Sequence, residues 1–172
     1  MTSIRHRIFV DECLPPTLVK HYLEPHCAVS RDGFDVVHHY NKYGNQGKWK
    51  DADFVPHLGA DKRWLIISAD SAKRSCVDPL PYICRSEKVT LILVTNKVRE
   101  KSLEFYGPAI LSHWQDIIGA STGLKGSVYQ ISMTSSKTPR TKFSIYKCPK
   151  GYDLVDKCCI KSKSKKKRTS NR

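Results

Sequence analysis

Long apolar runs are missing from this 172-residue chain. A membrane-spanning helix needs about 18 or more consecutive apolar residues, and no stretch approaches that length, so we expect neither a membrane span nor a membrane partner. A glycine-rich phosphate-binding loop is also absent. No local signature supports a Ser/His/Asp or Cys/His nucleophile. These absences exclude the common nucleotide-binding motifs and weigh against a covalent hydrolase.

The cysteines give no sign of a disulfide framework. There are seven, an odd number, and their spacing is irregular. The stretch from Ile4 to Val10 is too short and too charged for the apolar core of a signal peptide. We therefore expect reduced thiols and a cytoplasmic location. Cys148, Cys158 and Cys159 include no C-x-x-C pair, which makes a zinc site a poor hypothesis.

Positive charge is abundant but unevenly spread. The chain has 30 Lys and Arg against 16 Asp and Glu, a formal net charge of +14. Residues 137–172 contain 13 basic and 2 acidic residues, which leaves 17 and 14 in residues 1–136. A basic excess of this size indicates a polyanionic partner, and we expect RNA. The last segment, "KSKSKKKRTSNR", is typical of a tail that is disordered when free.

Apolar stretches alternate with helical patterns along the body of the chain. We predict strands at "RIFV", "FDVVHHY", "RWLIISAD" and "KVTLILVTN". Helices are predicted from Pro15 to about Leu23, ended by Pro25, over "KDADFVPHLGA" with Pro56 near its first turn, and over "SLEFYGPAILSHWQDIIGA", interrupted at Gly107-Pro108. This alternation predicts an α/β fold with a mostly parallel sheet and helices on both faces.

The C-terminal part has a different pattern. "SVYQISM" and "KFSIYKC" are expected to pair as a β-hairpin around the loop "TSSKTPR". The predicted organisation is an α/β domain over residues 1–125, an extension containing the hairpin over 126–160, and the basic tail over 161–172.

Carboxylates recur at the ends of the predicted strands. Asp11 and Glu12 follow the first strand, Asp70 ends the third, and Asp51 begins a helix that returns toward the strand ends. In open α/β sheets this edge binds ligands. Clustered carboxylates repel one another unless a divalent cation lies between them, and Mg²⁺ and Mn²⁺ favour such oxygen ligands. A cation held there suits phosphodiester hydrolysis. The plainer alternative is that these acids cap turns or are solvated.

Four segments together resemble a known family: "FVDECLPPTLVKHYL", "GFDVVHH", "WKDADFVPHLG" and "WLIISADSAKR". Their order and spacing, from about Ile8 to about Ala120, resemble the PIN-like nuclease domain, most closely the short PIN-like branch of VapC-type toxins of toxin–antitoxin pairs. The resemblance implies a three-layer PIN-like fold and a metal-dependent endoribonuclease that uses Mg²⁺ or Mn²⁺. It also implies a cognate antitoxin protein as a partner, and a homodimer is an open option.

Where positions of this sequence match the family's motifs, the resemblance implies that Asp11, Asp51 and Asp70 are catalytic metal ligands. The fourth acid would be Asp53 or Glu12. Asp51 and Asp53 are two apart on a helix and do not share a face well, so one of them would be a ligand and the other a supporting or capping residue. The helix expected after Asp70 is broken by "VDPLP", which weakens the case for Asp78.

Further residues near the predicted edge have two interpretations each. Lys73 and Arg74 follow Asp70 and would either hold an RNA phosphate or lie in a solvated turn. His38 and His39 are expected to be structural. Trp49 and Tyr43 would either stack on unpaired bases or anchor their loop.

Two other functions stay open at this point. One is a basic RNA-binding module without catalysis on a PIN-like scaffold, and the other is a metal-dependent DNA nuclease.

Overall fold

The fold is built around one six-stranded sheet. The computed structural model describes residues 6–30, 33–44, 49–70, 80–135, 138–146, 152–155 and 158–161, the last two ranges by their backbone. The strands of the sheet lie in the order β2-β1-β3-β4-β5-β6. Their bounds are β1 His6–Val10, β2 Phe34–His38, β3 Trp64–Ser68, β4 Thr90–Val94, β5 Val128–Met133 and β6 Thr141–Ile145.

Five of the six strands are parallel. β1 lies between β2 and β3, β4 joins β3, β5 joins β4, and only β6 is antiparallel to its neighbour. In the central pair, Val10 is opposite Ile67. The carboxyl ends of β2, β1, β3, β4 and β5 therefore meet at one edge of the sheet.

Helices connect the parallel strands. The first helical stretch consists of α1 Pro16–Leu18, a π-helical turn Val19–Leu23 and α2 Glu24–Val29. The other helices are α3 His39–Tyr43, α4 Asp51–Asp61, α5 Leu80–Ser86, α6 Asn96–Arg99, α7 Leu103–Ser112 and α8 Trp114–Thr122.

The apolar runs are continuous because both faces of the sheet are covered. Ile8 and Val10 of β1 pack with the first helical stretch and with α7 and α8, whereas Phe9 between them packs with α4 and α5. The same alternation holds in β3 and β4, whose residues are all buried. Side chains of successive strand residues point to opposite faces, so a strand covered on both sides has apolar residues at every position. The predicted α/β fold class is confirmed.

Two local predictions about prolines were wrong, and a third, at Gly107-Pro108, follows below. The first helical stretch does not end at Pro25 but continues to Val29. The N–H of Glu24 bonds to the carbonyl of Val19, five residues back, and this wider turn replaces the ordinary bonding that the proline ring would obstruct. Pro56 lies inside α4 as its sixth residue rather than in its first turn.

The helix pair after β4 is also interrupted elsewhere than predicted. α7 runs through Gly107-Pro108, and the break lies at His113, between α7 and α8. At Gly107 a Cβ atom would lie only 2.8 Å from ring carbons of Tyr22. Glycine therefore allows close packing of two helices here and does not end one.

The C-terminal hairpin is present. β5 and β6 are antiparallel, with Ile131 opposite Phe143, and β5 continues the main sheet beside β4. A second two-stranded sheet pairs β7 Tyr152–Val155 with β8 Cys158–Lys161. The basic tail after residue 161 lies outside the described residues. In the described part of the chain, no helix is long and apolar enough to cross a membrane.

Candidate functional site

Four acidic residues lie at the carboxyl edge of the sheet, and we call Asp11, Glu12, Asp51 and Asp70 the acidic rim. Asp11 follows the last residue of β1, and its N–H donates to the carbonyl of Ile67 in β3 (3.0 Å). Asp70 follows β3 by two residues. Asp51 is the first residue of α4, which leads back into β3, so the start of this helix lies at the edge where β1 and β3 end.

Asp11 is held by hydrogen bonds to both of its carboxylate oxygens. It is only 4 % exposed. Oδ1 accepts from the backbone N–H of Glu12 (2.8 Å), and Oδ2 accepts from the hydroxyl of Ser68 (2.7 Å) and the thiol of Cys13 (3.1 Å). A buried carboxylate needs such donors, and here they also fix its orientation. Asp11 is therefore firmly positioned at the rim.

Ser68 links the two strand-end acids. Its hydroxyl is fully buried, donates to Asp11 Oδ2 and accepts the backbone N–H of Asp70 (2.9 Å). Residue-by-residue reasoning from the sequence assigned no role to Ser68. The available signal was its position two residues before Asp70 in the segment "WLIISADSAKR".

The electrostatics of the rim are clearest at Asp51. Burial and the negative charges of Asp11, Asp70 and Glu12 raise the pKa of the Asp51 carboxyl to about 7, from 3.8. The N-terminus of a helix favours an anion and would lower this pKa. Desolvation, the largest cause, and three acidic neighbours outweigh that effect, so the charges of the other three acids act on Asp51.

Asp53 has a different position from Asp51. It is exposed, and its Oδ2 accepts the backbone N–H of Lys50 (3.0 Å) at the start of α4. Its charge is not among those that raise the pKa of Asp51, whereas that of Glu12 is. Of the two candidates for a fourth acid, Glu12 therefore belongs electrostatically to the rim, and Asp53 caps the helix.

Two cysteines lie close to the acids. The Cys13 thiol, besides its bond to Asp11, accepts the backbone N–H of Ala69 (3.0 Å) and lies 3.3 Å from the Ser68 hydroxyl. Burial and the charge of Asp11 raise the pKa of this thiol to about 12. The pKa of the fully buried Cys84 thiol in α5 is raised by burial and by Asp51 and Asp11. Both thiols therefore stay protonated, and Cys13 acts as a donor.

His38, the last residue of β2, and His39, the first residue of α3, are both buried. His38 is buried, and its Nε2–H donates to the carbonyl of Leu14 (2.8 Å) while its Nδ1 accepts the N–H of Tyr40. The His39 ring packs edge-on against Phe9. Lys73 and Arg74, predicted to contact RNA, lie outside the described residues, as does Asp78.

A divalent cation fits the rim by donor chemistry. All its members are carboxylates, which are hard oxygen ligands for Mg²⁺ and Mn²⁺. The raised pKa of Asp51 reflects burial and, after it, repulsion from three acids, which a cation would relieve. Over the described ranges, which omit residues 71–79 directly after Asp70, no three His, Cys, Asp or Glu side chains converge tightly enough to hold a metal ion. The acids therefore share an edge without forming a closed ligand set.

A family model supports the predicted domain type. Residues 6–78 match the model of a family described as PIN like domain. The matched range contains β1, β2, β3 and the whole acidic rim. No curated protein and no solved structure matches the chain. Because PIN-like domains are generally nucleases, the match supports a nuclease-type function for this part of the chain.

Proposed function

We propose that this protein is a metal-dependent endoribonuclease that hydrolyses RNA phosphodiester bonds at the acidic rim. One observation carries the proposal: Asp51 at the start of α4 is partly buried beside acids from the ends of β1 and β3, and burial together with their charges raises its carboxyl pKa to about 7. A strongly raised acid pKa beside other acids at a ligand-binding edge is characteristic of functional sites.

In this proposal each acid has a role. Asp11, Asp51 and Asp70 would hold Mg²⁺ or Mn²⁺, with Glu12 as the fourth acid. A bound cation of this kind lowers the pKa of a water molecule and stabilises charge on the phosphodiester. Ser68 and the Cys13 thiol hold the Asp11 carboxylate in place by donating to Oδ2.

The substrate is argued from charge. Residues 137–172 carry 13 of the 30 basic residues. Such a segment would attract a polyanion in a strongly salt-dependent way. RNA is favoured over DNA by the resemblance to PIN-like toxins, and the test below includes both nucleic acids.

The experiment is cleavage of labelled single-stranded RNA and DNA with Mg²⁺, Mn²⁺ or EDTA. Wild type is expected to cut RNA only with the metal present, and Asp70→Asn to lose this activity. Asp116→Asn is the matched control, because Asp116 is an exposed acid on α8 that contacts His113. RNA left intact by wild type with both metals would contradict the proposal, and so would equal cleavage by Asp70→Asn.

We further propose that the chain is the toxin of a toxin–antitoxin pair. The support is the resemblance to VapC-type toxins together with the charge of the rim, which would accept a basic side chain from an antitoxin. Expression of wild type alone should arrest growth, and expression of Asp70→Asn should not. Two results together would contradict the toxin proposal: cells that express wild type grow as well as cells that express Asp70→Asn, and no protein encoded beside this chain copurifies with it. The nuclease proposal would remain intact.

A second function is favoured by a separate observation. Among the described residues the rim forms no closed ligand set, while the basic excess is large. A non-catalytic RNA-binding module would have both properties. It predicts that wild type shifts RNA on a gel with either metal or EDTA and never cuts it.

A further inference from the structure

We propose that Trp49, stacked on Tyr43, is a platform on which a base of single-stranded nucleic acid stacks beside the acidic rim. This inference rests on the proposed function in one respect only: which nucleic acid reaches the rim. We call Tyr43 and Trp49 the aromatic platform.

The platform is anchored to the core at one end. The ring centroids of Tyr43 and Trp49 are 4.7 Å apart, and the rings are inclined by 26°. Tyr43 in turn contacts the rings of Phe9 and Phe54, both fully buried. The His57 ring of α4 packs edge-on against Trp49 at 5.6 Å. A ring held in this way loses little freedom when a base stacks on it, which favours binding.

Trp49 is unlike the other tryptophans of the chain. It is 37 % exposed, whereas Trp64 and Trp114 are each 4 % exposed. A large aromatic ring that is stacked from one side and still more than a third exposed has apolar surface available to a ligand. The faces of nucleic-acid bases are flat and π-rich, and stacking on an aromatic side chain is how single-stranded binding proteins hold them.

The position and charge of the platform fit a nucleic acid. Trp49 precedes Asp51 by two residues, so their Cα atoms are at most about 7 Å apart. A base stacked on Trp49 would therefore lie near the start of α4, where Asp51 belongs to the rim. Residues 40–50 contain three lysines and no acid. Of these, Lys50 is exposed, and Lys42 has its Nζ 5.6 Å from the Tyr43 ring centroid. Together with stacking, these cations favour a polyanion that carries bases.

The test compares binding of single strands and duplexes in EDTA, where no cleavage takes place. The probes are an unstructured oligo(A) RNA of about 10 nucleotides and the same strand paired with oligo(U). Trp49→Ala should weaken single-strand binding by about 5- to 150-fold, and Trp49→Phe, which keeps an aromatic face, should restore most of it. Duplex binding, which depends on charge, should change little in either variant. Leu124→Ala, at an 81 % exposed apolar residue outside the platform, is the control.

A fluorescence measurement gives a readout that does not depend on Trp49→Ala folding. Subtracting the emission of Trp49→Phe from that of wild type isolates Trp49, and saturating oligo(A) should quench this difference signal. Either an unquenched signal or wild-type single-strand affinity in Trp49→Ala would overturn the platform. Failure of wild type to cut RNA in Mg²⁺ or Mn²⁺ would instead overturn the proposed function and leave the platform standing, so the two failures are distinguishable.

Discussion

The carboxyl edge of the sheet has two halves that share a backbone and differ in chemistry. At the end of β1, the N–H of Asp11 donates to the Ile67 carbonyl of β3 at 3.0 Å. At the end of β4, the N–H of Thr95 donates to the Ile131 carbonyl of β5, also at 3.0 Å. The Asp11 side chain accepts three hydrogen bonds, whereas the buried Thr95 hydroxyl has no hydrogen-bond partner among the described residues.

This comparison separates what the fold provides from what the residues provide. Parallel strands bring both positions to the same edge with the same ladder geometry. In the half around β1 and β3, the charges of Asp11 and Asp70 act across the edge on Asp51. The fold alone therefore does not make a site, and the function has to be argued from the side chains of one half.

The largest expected difference between the halves is in cleavage. Asp11→Asn should lower the rate of metal-dependent RNA cleavage by more than about 100-fold, because it removes several kcal/mol of charge stabilisation. Thr95→Val, at the equivalent backbone position, should change the rate less than about twofold. Single-turnover kinetics on one labelled RNA measure both variants. Equal losses in the two would mean that the edge as a whole, and not its acidic half, matters.

A smaller effect is expected from the hydroxyl that joins the two strand-end acids. Ser68→Ala removes the donor to Asp11 and the acceptor of the Asp70 N–H. Losses of this kind typically cost about 10- to 100-fold in metal affinity or activity. A Mn²⁺ titration of the cleavage rate should therefore shift to higher concentration in this variant. Unchanged Mn²⁺ dependence would show that Asp11 is positioned without Ser68.

The smallest effect concerns stability against pH. The pKa of Asp51 is raised from 3.8 to about 7, so between these values the folded state holds a proton that the unfolded state has lost. The free energy of unfolding should fall as pH rises through this window. Asp51→Asn removes that fall. Discounted for the partial exposure of Asp51, we expect the variant to be more stable than wild type by roughly 1–2 kcal/mol at about pH 8, or about 2–8 °C.

Thermal unfolding in EDTA at about pH 4 and about pH 8 measures this effect. The gain in midpoint for Asp51→Asn should be present at the higher pH and small at the lower one. Asp116→Asn should show no such gain. If the unfolding midpoint depended on pH equally in wild type and Asp51→Asn, the pKa of Asp51 would not be raised in the folded state.

Much of the fold could be predicted because its strands have clear apolar sequence patterns. β3 and β4 are unbroken apolar runs, as strands buried on both faces must be. Most errors were at glycine or proline, although the strand predicted over "FDVVHHY" also ends early, at His38, and α3 begins at His39. Pro25 is accommodated by a π-helical turn, and Gly107 is needed by the Tyr22 ring that packs on it. Both depend on packing between helices, which the local sequence does not contain.

The site could be predicted in outline but not in its contacts. The rule that ligands lie at strand ends brought Asp11 and Asp70 to one edge, and the helix that leads back into β3 added Asp51. The Ser68 and Cys13 contacts to Asp11 depend on Val10 lying opposite Ile67, a register that the sequence leaves open. The capping of α4 by Asp53, which separates it from Asp51, likewise depends on where the helix begins.

The central claim is that acids from three elements form one cation-dependent site. Calorimetric titration of Mn²⁺ into the full chain tests it most directly. The account predicts saturable binding by wild type and by Asp116→Asn, binding weakened at least about tenfold in Asp51→Asn, and none in the double variant Asp11→Asn/Asp70→Asn. Absence of binding by wild type, or wild-type binding by the double variant, would contradict it.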